Sequence, residues 1–189
     1  MNLQDRIDNY TKVTGFPRSL FISEDGRIVG TWIMGNAYGV QSGYYGGYPH
    51  GYLKRIKALY PDKDKALHVF SGRVDQSAWP GDTVDLNPDM EPTYLDDAQS
   101  LENVPLSQYD IVLADPPYSV EDAEHYKPTM VKRNKVLKAL TGVHSGTPVI
   151  WLDQVLPMYR KDEWRIVGVI GMVKSTNHRF RVITIFERL

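Results

Sequence analysis

Five short apolar runs in this chain read as β-strands, and the residues that close them are informative: Gly72, Asp85, Asp97, Asp115 and Asp153. In α/β sheets ligands bind beyond the carboxyl ends of the strands, so residues at those ends are the first candidates for chemistry. A lone aspartate there is more often a helix cap or a turn residue than a ligand contact. Asp115 differs because it opens the tetrapeptide Asp115-Pro116-Pro117-Tyr118. Two consecutive prolines offer no N–H and pin φ near −65°, so the chain leaves the sheet along a rigid path. One reading is simply a stiff exit. The other is a wall of carbonyl groups facing a ligand, with a carboxylate on one side and an aromatic ring on the other.

The elements that must position these residues are set out by periodicity. Leu3, Ile7 and Tyr10 recur at helical spacing, and residues 19–23 and 27–33 form a hairpin pattern around Asp25-Gly26. Residues 35–52 are dense in glycine and tyrosine, too glycine-rich for the interior of a regular element. They could form a lid over a substrate or a packed irregular loop. Residues 49–59 resume a helical pattern with Leu53, Ile56 and Leu59 on one face. Strands are expected at 66–70, 83–86, 94–95, 110–114 and 147–152, with a helix over 132–140 ended by Gly142. The runs 165–173 and 180–187 are joined by only six polar residues, so they must pair antiparallel. The expected class is α/β: a mostly parallel sheet with an antiparallel C-terminal hairpin and helices on both faces.

Composition narrows the function classes. The chain has 189 residues, 42% hydrophobic and 24% charged, which suits a single packed domain. A formal net charge of −1 gives no global field to attract a polyanion, although local basic patches remain open. No cysteine means no disulfide framework and no zinc–thiolate site, as expected for a reducing cytoplasm. The five histidines show no ligand-like spacing with acids, so no metal is assigned. No stretch approaches the ~20 apolar residues of a membrane span, and the first residues do not read as a secretory signal.

The segment Ile111-Val112-Leu113-Ala114-Asp115-Pro116-Pro117-Tyr118 resembles the catalytic motif of the S-adenosylmethionine-dependent amino-methyltransferases that modify N6 of adenine or N4 of cytosine. The resemblance spans about residues 49–189 and implies a Rossmann-like class I methyltransferase sheet. Residues 1–48 are then an N-terminal extension packed on the catalytic domain, 49–189. It implies S-adenosyl-L-methionine as cofactor. Val69-Phe70-Ser71-Gly72 resembles the turn that meets the cofactor's methionine part. Asp85, with Leu86, resembles the acid for the ribose hydroxyls. Asp97, with Ala98, resembles the acid near the adenine amino group, and Asp115 itself borders the cofactor. The helix 49–59 and its preceding glycines resemble an extra cofactor-binding element. Asp115, Pro116, Pro117 and Tyr118 would act on the acceptor amine, with Tyr118 stacking on a base taken out of its duplex.

The sequence departs from the family where Gly72 is followed by Arg73-Val74-Asp75, without the usual second glycine two residues on. It also lacks an insertion large enough for a separate target-recognition domain, so specificity would come from loops, a homodimer or a recognition partner. DNA adenine N6 is the leading acceptor, ahead of RNA or a small molecule, and an idle cofactor-binding subunit that recruits a partner is the rival of another class. Lys174, His178, Arg179 and Arg181 beside the terminal hairpin link are candidate phosphate contacts, as are Lys127, Lys132, Arg133, Lys135 and Lys138 around the 132–140 helix. For the helix a solvated charged face is the commoner outcome. Trp151 and Trp164 are expected in the core.

Overall fold

The computed structural model describes residues 1–16, 18–35, 47–117, 131–175 and 179–189. Tyr118, Lys127, His178 and most of the glycine–tyrosine segment (36–46) lie outside the described residues. The described chain begins with helix α1 (Leu3–Thr14), strands β1 (Leu20–Ile22) and β2 (Ile28–Met34) and helix α2 (Tyr52–Leu59). Then come β3 (Ala66–Val69), β4 (Gly81–Asp85), β5 (Tyr94–Leu95), β6 (Ile111–Ala114), helix α3 (Arg133–Ala139), β7 (Pro148–Asp153), β8 (Trp164–Lys174) and β9 (Phe180–Arg188).

These strands form one sheet in the order β1-β2-β8-β9-β7-β6-β3-β4-β5. Pairing is parallel from β7 through β6, β3 and β4 to β5, and again between β2 and β8. It is antiparallel at β1–β2, β7–β9 and β8–β9, so the C-terminal hairpin reverses direction as its short link requires. The fold is therefore the expected mostly parallel α/β sheet. The sequence pattern did not announce the partner of β2: this strand pairs along its whole length with β8, so β2, and β1 beyond it, carry the same sheet outward.

Two apolar cores flank the sheet. Alternation along β6 divides them, since Ile111 and Leu113 join the core under α1 and α2 while Val112 and Ala114 join the core under α3. Helix α1 starts at a reciprocal cap, with the Asn2 side chain accepting from Asp5 N–H and Asp5 accepting from Asn2 N–H. It ends at Gly15 in the left-handed conformation, and it buries Ile7 and Tyr10 against α2 and β2. The Arg6 guanidinium reaches the Leu59 carbonyl at 3.0 Å and Asp62 at 2.6 Å, tying α1 to the end of α2. Trp151 and Trp164 are fully buried in the second core, as expected.

The sheet order reverses between β3 and β6. From β3 the chain moves outward to β4 and β5, then crosses back to β6 on the other side of β3. At such a reversal an α/β sheet offers its ligand crevice, here beyond the carboxyl ends of β3 and β6.

Candidate active site

The crevice is floored by the turn after β3. Phe70 turns the chain out of the strand with φ +59, an outlier for a bulky residue, and Gly72 comes next but one at φ +48. The N–H groups of Phe70 and Ser71 both reach the Val84 carbonyl of β4, at 3.1 and 3.4 Å, which holds the turn against the neighbouring strand. Ser71 is buried, and its hydroxyl has no hydrogen-bond partner among the described residues. Such an orphaned polar atom at a strand end is what a polar ligand would satisfy.

Asp85 closes β4 and is buried at 8% exposure. One carboxylate oxygen accepts from Gly72 N–H at 3.0 Å and the other from Asn87 N–H at 2.9 Å. An ionised carboxylate has about four acceptor positions, so capacity for two further donors remains. The bond to Gly72 means that this acid also shapes the turn. Leu86 beside it is 53% exposed, an apolar side chain left at the rim. Farther out, Asp97 accepts from Gln99 N–H at 2.9 Å and Ala98 is buried, whereas the adjacent Asp96 is buried and accepts from the N–H groups of Asp97 and Asn103.

On the other wall, Asp115 directly follows β6, and its N–H reaches the Val69 carbonyl at 3.4 Å. Asp115 is half-buried, Pro116 buried and Pro117 half-buried. The topology thus brings Phe70, Ser71, Gly72, Asp85 and Asp115 to one crevice. Because β2, β7 and β8 run parallel with β6, Gly35, Gln154 and Lys174 end at this same edge. Lys174 and Arg179 flank the hairpin link: Lys174 ends β8, three spacings of ~4.8 Å or about 14 Å from β6, and Arg179 precedes β9, two spacings or about 10 Å from it. Lys174 is half-buried, and burial, with Arg181 adding to it, pulls its ammonium below the ordinary value. Arg179 and Phe180 are exposed.

Three further side chains pack together behind these strand ends: Tyr48 and Tyr52, from the segment read as a lid or a packed loop, and His68, which sequence reasoning did not assign. Tyr48 and Tyr52 stack at 5.4 Å between ring centres at the entry to α2. His68, fully buried on β3, lies between two polar atoms: Nε2 is 3.1 Å from the Trp79 carbonyl and Nδ1 is 3.1 Å from the Tyr48 hydroxyl. A carbonyl can only accept, so Nε2 carries the proton and the Tyr48 hydroxyl must donate to the bare Nδ1. Burial holds His68 neutral, lowering its pKa to about 4. Burial also raises both phenols well above their ordinary value, and the negative charge of Asp115 adds to the rise in each. The density of glycine and tyrosine in residues 35–52 signalled the two tyrosines, whereas His68 showed only as a single histidine inside an apolar run.

One candidate is corrected. Arg133, considered for phosphate contact, is held bidentately by the fully buried Asp153 at 2.5 and 3.1 Å, and that carboxylate also accepts from the Trp151 indole at 3.0 Å. The guanidinium is committed to closing the end of β7 onto the start of α3. Lys138 likewise pairs with Glu163 at 2.5 Å, while Lys132 and Lys135 are exposed.

No family model matches the chain, and no curated protein matches it. Among solved structures, it is similar to TrmN from Thermus thermophilus, with 14% identity, a TM-score of 0.48, and coverage of 72% of this chain and 48% of that one. It is also similar to the "putative methylase HI0767" from Haemophilus influenzae, with 9% identity, a TM-score of 0.39, and coverage of 72% of this chain and 86% of that one. The chain thus spans about half the length of the first of these proteins.

Proposed function

We propose that this chain is an S-adenosylmethionine-dependent methyltransferase acting on the exocyclic amino group of a nucleobase, with N6 of adenine in DNA as the leading acceptor. The observation that carries the reading is convergence: the strained turn at residues 70–72, the carboxylate of Asp85 and the rigid Asp115-Pro116-Pro117 exit meet where the sheet order reverses between β3 and β6. The residues fit the cofactor. A buried serine hydroxyl lacks a partner at the turn, and Asp85 keeps acceptor capacity for a pair of hydroxyls. Phe70, Ser71 and Gly72 would hold the methionine part, Asp85 and Leu86 the ribose, and Asp97 and Ala98 the adenine. When bound, the cofactor supplies a methyl group already activated on a sulfonium.

What the chain must add is orientation. A conjugated amine hides its nitrogen lone pair in the ring's π-system. The Asp115 carboxylate and the Pro116 carbonyl can each accept one N–H, favouring a pyramidal nitrogen with its lone pair exposed. The two prolines keep that carbonyl wall in place, since neither can rejoin the ladder. The negative charge of Asp115 suits a cationic transition state, and the surplus proton leaves to it or to water. Tyr118 is the candidate stacking surface for the base, Lys174 and Arg179 are candidate phosphate contacts along the same edge, and His178 is a third candidate on sequence grounds. Incubating the protein with methyl-labelled S-adenosylmethionine and separate pools of DNA, RNA and nucleosides tests the reading. Label in N6-methyladenine of DNA is the expected product. Label in RNA alone would move the assignment to an RNA amine within the same chemistry.

A further inference from the structure

The side of the sheet that carries α3 is covered only in part. Alternation puts Val112 and Ala114 on that side, and the strand registers carry it outward from Ala114 through Trp151, Thr184 and Val169 to Val29 and Phe21. Trp151 and Thr184 are fully buried, but Val169, next in this row, is exposed, and so is Phe21 at its far end. The cover stops between β9 and β8. Two further rows lie on the same side toward the carboxyl ends of β2 and β8: Thr31, Gly171 and Val182, then Ile33, Val173 and Phe180. Ile33 is 70% exposed and Phe180 63%. A Cβ placed on Gly171 would stand 3.0 Å from Cζ of Phe180 and 3.2 Å from its Cε2, so that ring lies along the bare glycine backbone and levels the surface.

No position in these outer rows beyond Thr184 is charged, whereas Asp25 and Arg27 at the β1–β2 turn and Lys174 and Arg179 beside the hairpin link border them. At roughly 150–200 Å² for each large side chain, Phe21, Ile33, Val169 and Phe180 leave on the order of 400 Å² of apolar surface open. The half-buried Val29, Val173 and Val182 bring the patch to about 500 Å².

We propose that this face docks a second copy of the chain, sheet against sheet, about a two-fold axis. An isologous contact sets a patch against itself, so the patch has to be self-complementary. A charged patch would meet its own sign. A level, uncharged one meets a surface it can pack on at the ~10 Å spacing of face-to-face sheets. The area agrees: two such patches bury about 1,000 Å² of apolar surface, and a standard interface of about 1,600 Å² needs the same amount at the ~65% apolar content of homodimers. The charged border supplies the polar rim. Docking of two copies does not depend on what the crevice methylates.

Sedimentation equilibrium of the full chain from about 1 to 100 μM tests the dimer, since interfaces of standard size span picomolar to micromolar dissociation constants. Wild type should reach twice the 21.6 kDa chain mass. Ile33→Lys and Val169→Lys each bring two like charges into the dry contact and should raise the dissociation constant about a hundredfold or more. Both side chains are exposed, so the circular dichroism spectra should match wild type. Val13→Lys is the control, because Val13 is 57% exposed on α1, on the opposite side of the sheet, and should leave the dimer unchanged. The chain has no cysteine, so the milder Thr31→Cys gives a second reading. Its thiol should react with maleimide several-fold more slowly at 100 μM protein than at 1 μM, whereas that of Val13→Cys should react equally fast at both. A wild type that stays monomeric throughout overturns the proposal, including one that sediments with lipid vesicles or binds a different protein. So does a dimer that neither sheet-face lysine weakens, one that Val13→Lys weakens as much, or a Thr31→Cys thiol whose reactivity ignores concentration.

Discussion

His68→Gln should remove a defined part of the protein's sensitivity to acid. The wild-type imidazole is held neutral between Trp79 and Tyr48, with its pKa lowered from 6.5 to about 4. A depressed folded-state value means that the unfolded chain takes up a proton that the folded chain refuses. The stability this histidine contributes is therefore intact above pH 6.5 and is lost as pH falls toward 4. Each unit of that window costs about 1.4 kcal/mol, giving about 2 kcal/mol between pH 7 and pH 5 and roughly 3 kcal/mol by pH 4. Glutamine can donate to the same carbonyl and accept from the same phenol without titrating. Urea denaturation of both proteins at pH 7, 6 and 5 measures the effect. Stopping at pH 5 keeps the paired carboxylates of Asp62 and Asp162, whose values lie below 3.8, out of the comparison. Wild type should lose about 2 kcal/mol relative to His68→Gln over this range. Parallel stability curves would refute the buried neutral tautomer and the donor order built on it.

Three further perturbations probe the rest of the crevice. Asp85→Ala should weaken S-adenosylmethionine binding by about 1–3 kcal/mol in calorimetry, since it strands the cofactor's hydroxyls and releases the Gly72 N–H; unchanged affinity would place the ribose elsewhere. Asp153→Ala leaves the Arg133 guanidinium without its buried partner and should cost about 3–5 kcal/mol in denaturant unfolding, whereas a loss under 1 kcal/mol would show the pair to be dispensable. Tyr118→Phe should keep much of the catalytic efficiency while Tyr118→Ala loses one to two orders of magnitude, roughly 1–3 kcal/mol of stacking; equal losses would point to the hydroxyl rather than the ring.

The strands and their ends were legible because each is an apolar run punctuated by a residue with local meaning. Gly72 marks a turn, Asp115 precedes prolines that cannot stay in a ladder, and 174–179 is too short to be anything but a hairpin link. Those signals act over a few residues. What escaped depends on distant pairing. His68 reads as one polar residue in a buried run, and its partners Trp79 and Tyr48 stand 11 and 20 positions away. Arg133 and Asp153 looked like a surface cation and a strand-end acid, and only the packing of α3 against β7 makes them a buried pair. The pairing of β2 with β8 joins residues about 140 positions apart, which no local pattern could announce. Asp85 shows both sides: its place at a strand end was readable, but its bond to the Gly72 N–H was not.

The proposed chemistry depends most heavily on Asp115. Its carboxylate is assigned to the acceptor amine and not to the fold, so Asp115→Ala should fold and bind S-adenosylmethionine with nearly wild-type affinity. It should lose almost all methyl transfer, a defect in turnover and not in binding. The decisive measurement is mass spectrometry of DNA digested after incubation with cofactor and either protein. Wild type should yield N6-methyladenine, and Asp115→Ala should yield essentially none at matched cofactor occupancy. A variant that kept most of its turnover, or a wild type that methylated no base in any pool, would contradict the central claim.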